Sequence, residues 1–127
     1  LPVAFHQIKQ FTDCSVTTDP SGFNIQTGDQ PWSFAAFLPV LSTSRRPGAV
    51  IIGLECQVRK GMIGVALVNR AHEFLGPEQV ITVDDAPSIL VECDRADLVR
   101  GMIFRNLYAA GCSVALVRNI EIAPSTT

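Results

Sequence analysis

The residues of this chain best suited to chemistry are rings and hydrogen-bonding side chains rather than nucleophiles. Trp32 follows Pro31 in a turn-forming stretch, and Tyr108 lies just beyond Arg105-Asn106. An exposed ring offers a flat face on which the apolar side of a pyranose can stack, while Arg, Asn and Gln reach the sugar hydroxyls. Gln57 and Arg59 share one phase of an alternating run with Glu55, which lines them up on one sheet face. Trp32, Gln57, Arg59, Arg105, Asn106 and Tyr108 are therefore the candidate ligand-binding residues. Each has a plainer reading. Trp32 with Phe34 and Phe37 would equally seal one end of a core, and a polar row is what any solvated sheet face presents. Tyr108 is expected to be the better exposed ring.

Catalytic signatures are missing. His6 and His72 are the only histidines and stand 66 positions apart, and no CxxC pair supplies zinc-ligand spacing. There is no GxSxG elbow and no glycine-rich phosphate loop, so neither a catalytic residue, a metal nor a cofactor is expected. Asp84-Asp85 precedes Ala86-Pro87 and reads as a turn, and Asp94 and Asp97 flank Arg95 as surface partners. Of Cys14, Cys56, Cys93 and Cys112, the last three fall on apolar phases, where a reduced cysteine acts as a small core hydrophobe. A disulfide among them is the other reading. Reduced thiols point to a cytoplasmic protein.

Composition narrows the partners. A chain of 127 residues is one domain, and its 17% charged residues fall below the roughly 25% of a typical globular chain. Net charge is −2 and Arg45-Arg46 is the only adjacent basic pair, so no stripe for nucleic acid exists. No apolar run approaches the ~18 residues that span a bilayer, so no membrane partner is expected. The chain opens Leu1-Pro2-Val3 and closes Ala123-Pro124-Ser125-Thr126-Thr127. It reads as a piece of a longer chain: a single domain over 1–122 and a linker stub over 123–127.

Strand periodicity must position these residues. Val50, Ile52, Leu54, Cys56 and Val58 alternate with mostly polar neighbours, and the period of two recurs in Ile63, Val65 and Leu67. Ile89, Val91 and Cys93 repeat it, as do Val114, Leu116, Ile120 and Ile122. Earlier strands are expected at Phe5–Phe11, Val16–Thr18, Phe23–Gln26 and Trp32–Leu41, the last an edge strand or irregular crossing because of Pro39. Ser42–Gly48 reads as a polar loop. Arg59-Lys60-Gly61 reads as the turn of a hairpin, and Arg70–Glu78 offers the best chance of a helical turn. Gln79–Val83, Ser88–Asp94, Leu98–Asn106 and Cys112–Ile122 complete the set. About eight to ten strands with such spacing make an all-β antiparallel sandwich of the jelly-roll kind.

From Ala49 to Ile122 the chain resembles the galactose-binding-like jelly rolls found among carbohydrate-binding modules. The matching parts are Cys56–Val68, Val80–Val83, Ile89–Cys93, Leu98–Asn106 with its Gly-Met-Ile-Phe-Arg-Asn, and Val114–Ile122 ending Arg118-Asn119-Ile120-Glu121-Ile122. More narrowly, it is similar to accessory β-sandwich domains of bacterial glycosyltransferases and S-adenosylmethionine-dependent sugar methyltransferases. The resemblance implies a non-catalytic carbohydrate-binding module of a larger glycan-modifying protein. Its partners would be a glycan and a neighbouring catalytic domain in the same chain. The rival reading is a structural scaffold or dimerisation domain, packing against a catalytic domain or, as a homodimer, against a copy of itself.

Overall fold

The computed structural model describes residues 7–40 and 48–124. Among the described residues ten strands are present: β1 (Lys9–Gln10), β2 (Ser15–Asp19), β3 (Gly22–Gln26), β4 (Phe34–Pro39), β5 (Val50–Lys60), β6 (Met62–Val68), β7 (Gln79–Thr82), β8 (Ser88–Cys93), β9 (Gly101–Asn106) and β10 (Val114–Pro124). They form two antiparallel five-stranded sheets, ordered β1-β4-β9-β6-β7 and β2-β3-β10-β5-β8. From β4 onward the chain passes repeatedly between layers, as a jelly roll does. The expected antiparallel sandwich is the fold. The first strand is shorter than Phe5–Phe11, whose first two residues lie outside the described residues, as does most of the Ser42–Gly48 loop.

Alternation along each strand sets the core. Val50, Ile52, Leu54, Cys56 and Val58 are all buried on the inner face of β5, against Ile63, Val65 and Leu67 of β6 and Val91 and Cys93 of β8. Phe23 of β3 and Phe104 of β9 meet edge-to-face across the layers, with centroids 5.3 Å apart. Both are fully buried, and truncating such a ring typically costs about 3–5 kcal/mol. Asp19 closes the β2–β3 turn: its Oδ1 accepts from Ser21 N, Ser21 Oγ and Gly22 N at 2.8, 2.7 and 3.0 Å. Asp85 caps the turn after β7 in the same way, accepting from Thr82 N at 2.8 Å. Asp85 and Asp97 thus serve local geometry, Arg95 being bound to Asp97 at 3.1 Å on the surface. β1 pairs only with Ala36 and Phe37 of β4, so Pro39 faces no β1 partner. Its missing N–H therefore costs no ladder bond on that side.

Three expectations need correction. β5 and β6 do not form a hairpin: β5 pairs with β10 and β8, β6 with β9 and β7. Gly61, at φ 84°, turns the chain from one layer into the other. Ser113 fills the space where a Cβ would stand, its Oγ accepting from Met62 N at 3.0 Å. Secondly, Leu116 does not share a face with Ile120 and Ile122. It pairs with Gln57 and Asn24 on the outer face, while Ala115 and Val117 point inward. A bulge between Arg118 and Glu121, with Asn119 at φ 56°, restores the phase. Thirdly, residues 70–78 hold no helical turn, and no α-helix occurs among the described residues. Asn69 instead caps a tight loop, its Oδ1 accepting from Ala71 N and Glu73 N at 2.9 and 3.0 Å.

Candidate functional site

The outer face of the β1-containing sheet carries the candidate site. Inward residues of β9 are Met102 and Phe104, which leaves Gly101, Ile103 and Arg105 outward. Across that face the pairing aligns Phe34 of β4, Arg105 of β9, Gly64 of β6 and Val80 of β7 in one row. The 69–75 loop leans over β9: Phe74 bridges Val68, and the His72 ring lies 4.7 Å from that of Phe37 on β4. His72 also approaches Phe11 and Phe34 edge-on. Beneath this roof Ala66, Val68 and Ile103 are fully buried although they face away from the main core.

Arg105 organises the middle of the row. Its Nε and Nη2 donate to the two carboxylate oxygens of Glu78 at 2.5 and 2.6 Å. Its guanidinium carbon lies 5.1 Å from the Trp32 ring centroid and 5.0 Å from that of Phe74. A planar cation within reach of two rings gains cation–π energy from each while Glu78 fixes its plane. Gly64 makes this possible, because a Cβ there would run into the Glu78 carboxylate and the Leu107 side chain.

Trp32 is held in an unfavourable state. Its side chain is 63% exposed and its φ is 68°, left-handed backbone that a bulky residue rarely adopts. Both features cost free energy, and such strain concentrates where a side chain has a task. Beside the ring runs an open depression of about 470 Å³ lined by Phe11, Thr12, Trp32, Ser33 and Phe34. Its walls are mostly aromatic, with two hydroxyl-bearing residues, of which Ser33 donates to Gln30 O at 2.7 Å. The arrangement can stack a flat ligand; it holds no nucleophile with a base at hand.

The six sequence candidates separate into three groups. Trp32 and Arg105 meet in this site. Gln57 and Arg59 are exposed on β5, in the opposite sheet. Asn106 is fully buried. Its Nδ2 faces the carbonyl oxygens of Gly28, Gln30, Tyr108 and Gly111 at 2.9–3.4 Å, and its Oδ1 accepts from Tyr108 N and Ser113 Oγ. That side chain is committed to the loops, and Tyr108 beside it is half-buried. Glu78, Phe74 and Gly64 escaped the sequence reading. Glu78 and Phe74 sit in a loop with no periodicity, and only the β6–β9 register brings Gly64 beside Arg105.

Among the described residues no group of three His, Cys, Asp or Glu side chains is placed to hold a metal, and no helix is long and apolar enough to cross a membrane. All four cysteines are free: Cys14, Cys56 and Cys93 are buried, while Cys112 is half-buried with Lys60 Nζ 3.7 Å from its sulfur.

No protein family matches the chain by sequence profile, and no curated protein matches it. Solved structures do. The CBM22-1 xylan-binding domain of Paenibacillus barcinonensis Xyn10C superposes with a TM-score of 0.59 at 6% identity, over 94% of this chain and 86% of that one. An exo-beta-agarase superposes with a TM-score of 0.62 at 9% identity, over 94% of this chain and 23% of the enzyme. At such identities the likeness establishes a shared sandwich fold, and the site must argue for itself.

Proposed function

We propose that this domain is a non-catalytic carbohydrate-binding module that holds a glycan on the open face of the β1-containing sheet. The observation that carries the reading is Trp32: an exposed ring on strained backbone, backed by Arg105 and bordering a shallow aromatic depression. A sugar ring would stack on Trp32, with Thr12 and the Nη1 of Arg105, which lies outside the Glu78 pair, offering hydrogen bonds at its edge. The shared fold with a xylan-binding domain and with a segment of an agarase supports this choice of ligand class. In a larger glycan-modifying protein the module would raise the effective concentration of glycan near a neighbouring catalytic domain. Four unpaired thiols support a reducing compartment such as the cytoplasm.

Affinity electrophoresis in gels containing xylan, agarose or mixed-linkage glucan tests the reading, with Trp32→Ala as control. Retardation of the wild type by at least one neutral polysaccharide, lost in the variant, is expected. Equal mobility of both proteins in every gel rejects it.

A second reading has its own support. Val80, Val83 and Leu90 are 50%, 52% and 65% exposed on or beside β7 and β8, the outermost strands of their sheets. Apolar edges of this kind favour pairing with another chain, so we also propose self-association or docking there. Sedimentation equilibrium checks it; a monomer at every concentration, unaltered by Leu90→Lys, rejects the self-associating form.

A further inference from the structure

We propose that Glu78 sets the charge preference of the site, restricting it to uncharged glycans by neutralising Arg105. The inference rests on the carbohydrate-binding reading and deepens it. Arg105 is the cation that touches the exposed ring, and a lone guanidinium there would attract the carboxylates of an acidic polysaccharide. Arg105 is instead closed off by both oxygens of one carboxylate, with side chains only 19% and 14% exposed. The Nε/Nη2 edge, which would grip a uronate in two-pronged fashion, is already occupied. The groove around it adds no compensating attraction. None of the residues lining the depression beside the ring, Phe11, Thr12, Trp32, Ser33 and Phe34, carries a charge. An acidic ligand gripping that edge would have to displace Glu78 and leave a partly buried carboxylate unpaired. A neutral sugar would stack on Trp32 without disturbing the pair.

Gly64 shows that the carboxylate's seat is built into the sheet rather than reached by chance. Any side chain at that position would occupy the space the Glu78 head group uses. The fold therefore reserves room for a neutralising group next to the ring, at the expense of an outward-facing strand residue.

The test compares wild type, Glu78→Gln and the double variant Glu78→Gln/Arg105→Gln on neutral arabinoxylan and on polygalacturonate, by affinity electrophoresis at low salt and at about 0.5 M salt. Wild type should bind polygalacturonate roughly tenfold more weakly than its best neutral glycan. Glu78→Gln should gain roughly three- to tenfold for polygalacturonate at low salt, a gain that high salt and the second substitution both abolish. Wild type binding polygalacturonate as well as neutral glycan overturns the inference, and this comparison needs no variant to fold. So does an unchanged preference in Glu78→Gln, or a gain that survives in the double variant. If wild type binds neutral glycan in any of those cases, the module reading stands alone. If it binds nothing, both fall.

Discussion

The main-chain N–H of Trp32 donates to the carbonyl oxygen of Asn106 across 2.6 Å, which ties the exposed ring's backbone to the end of the central strand β9. The return bond runs from Asn106 N to Ser33 O at 3.0 Å. Asn106 thereby holds the 27–33 loop with its main chain and, through Nδ2, with its side chain. Replacing Asn106 by Ala removes the Nδ2 donor from Gly111 O and the Oδ1 acceptor from Tyr108 N and Ser113 Oγ, while Gly28 O and Gln30 O keep Thr27 Oγ1 and Ser33 Oγ. Each unpaired buried group costs about 1–3 kcal/mol. Asn106→Ala should lose about 3 kcal/mol of stability in urea denaturation and weaken glycan binding, since the Trp32 loop loses its anchor. Stability within about 0.5 kcal/mol of wild type would mean that the loops hold themselves.

Trp32 itself should behave in the opposite way. A ring that is 63% exposed contributes little to the core, so Trp32→Ala should abolish glycan retardation while the denaturation midpoint barely moves. Trp32→Gly separates backbone from ring. Left-handed backbone at φ 68° is free to glycine and costs an L-residue about 1–2 kcal/mol. The glycine variant should therefore be at least as stable as the alanine variant, although glycine loses more chain entropy. A clearly less stable glycine variant would show that the strain is absent in solution.

The period of two made the core legible, because burial of one sheet face leaves a direct trace in residue order. Val50 to Val58 and Ile63 to Leu67 lie as their alternation dictates. Connectivity left no such trace. Whether Gly61 closes a hairpin or passes between layers depends on its φ and on Ser113, which is 52 positions away in the chain. In β10 the bulge at Asn119 cancels the simple alternation, so Leu116 lies on the face opposite to the one its spacing with Ile120 and Ile122 predicts. Trp32 and Arg105 were recognisable by type, yet their meeting is a product of the β4–β9 register. Glu78 had no local signature, because its role exists only once Arg105 and Gly64 are side by side.

Cys56 gives a pH prediction. Its side chain is fully buried, and burial pushes the thiol up from 9.0 to about 12. Cys93 is raised as well, chiefly by burial. An acid whose folded-state value lies above its unfolded one stabilises the fold fully below the unfolded value. Stability should then fall progressively as pH rises from 9.0 toward about 12, where the unfolded thiolate forms first. Urea midpoints measured between neutral and strongly alkaline pH check the sign, and Cys56→Ala should flatten part of the decline. A thiol-reactive dye should label half-buried Cys112 in the native protein and reach Cys56 only after denaturation. Rapid native labelling of Cys56 would contradict its placement in the core.

Asp19 reports on the acid side. Hydrogen bonds from Ser21 hold its carboxyl below the ordinary 3.8, with Gly22 N and Arg118 adding to the effect. A carboxylate favoured in the folded state stabilises above the unfolded value and loses that contribution as pH falls through the folded one. Asp19→Asn should remove this acid dependence and loosen the β2–β3 turn. The signature is faster amide exchange at Ser21 and Gly22, whose N–H groups Asp19 accepts.

Gly64 and Gly53 make a matched pair for the seat of Glu78. Both lie in strands, and alanine in a strand interior is ordinarily preferred to glycine by about 0.5–1 kcal/mol. A Cβ at Gly53 meets only Leu90 Cδ2 at 3.5 Å, an ordinary contact, so Gly53→Ala should be neutral or slightly stabilising. A Cβ at Gly64 collides with the Glu78 carboxylate and with Leu107 Cδ1. Both are ends of flexible side chains that can swing aside, so the cost is chiefly the partly buried Glu78–Arg105 pair that is broken. Gly64→Ala should therefore fall below wild type in urea denaturation, and the displaced Glu78 should leave Arg105 free to bind polygalacturonate in a salt-sensitive manner. Should Gly64→Ala match Gly53→Ala in stability and keep the wild-type preference for neutral glycan, the carboxylate does not sit against Gly64, and the ion pair with Arg105 is not the fixed element described above.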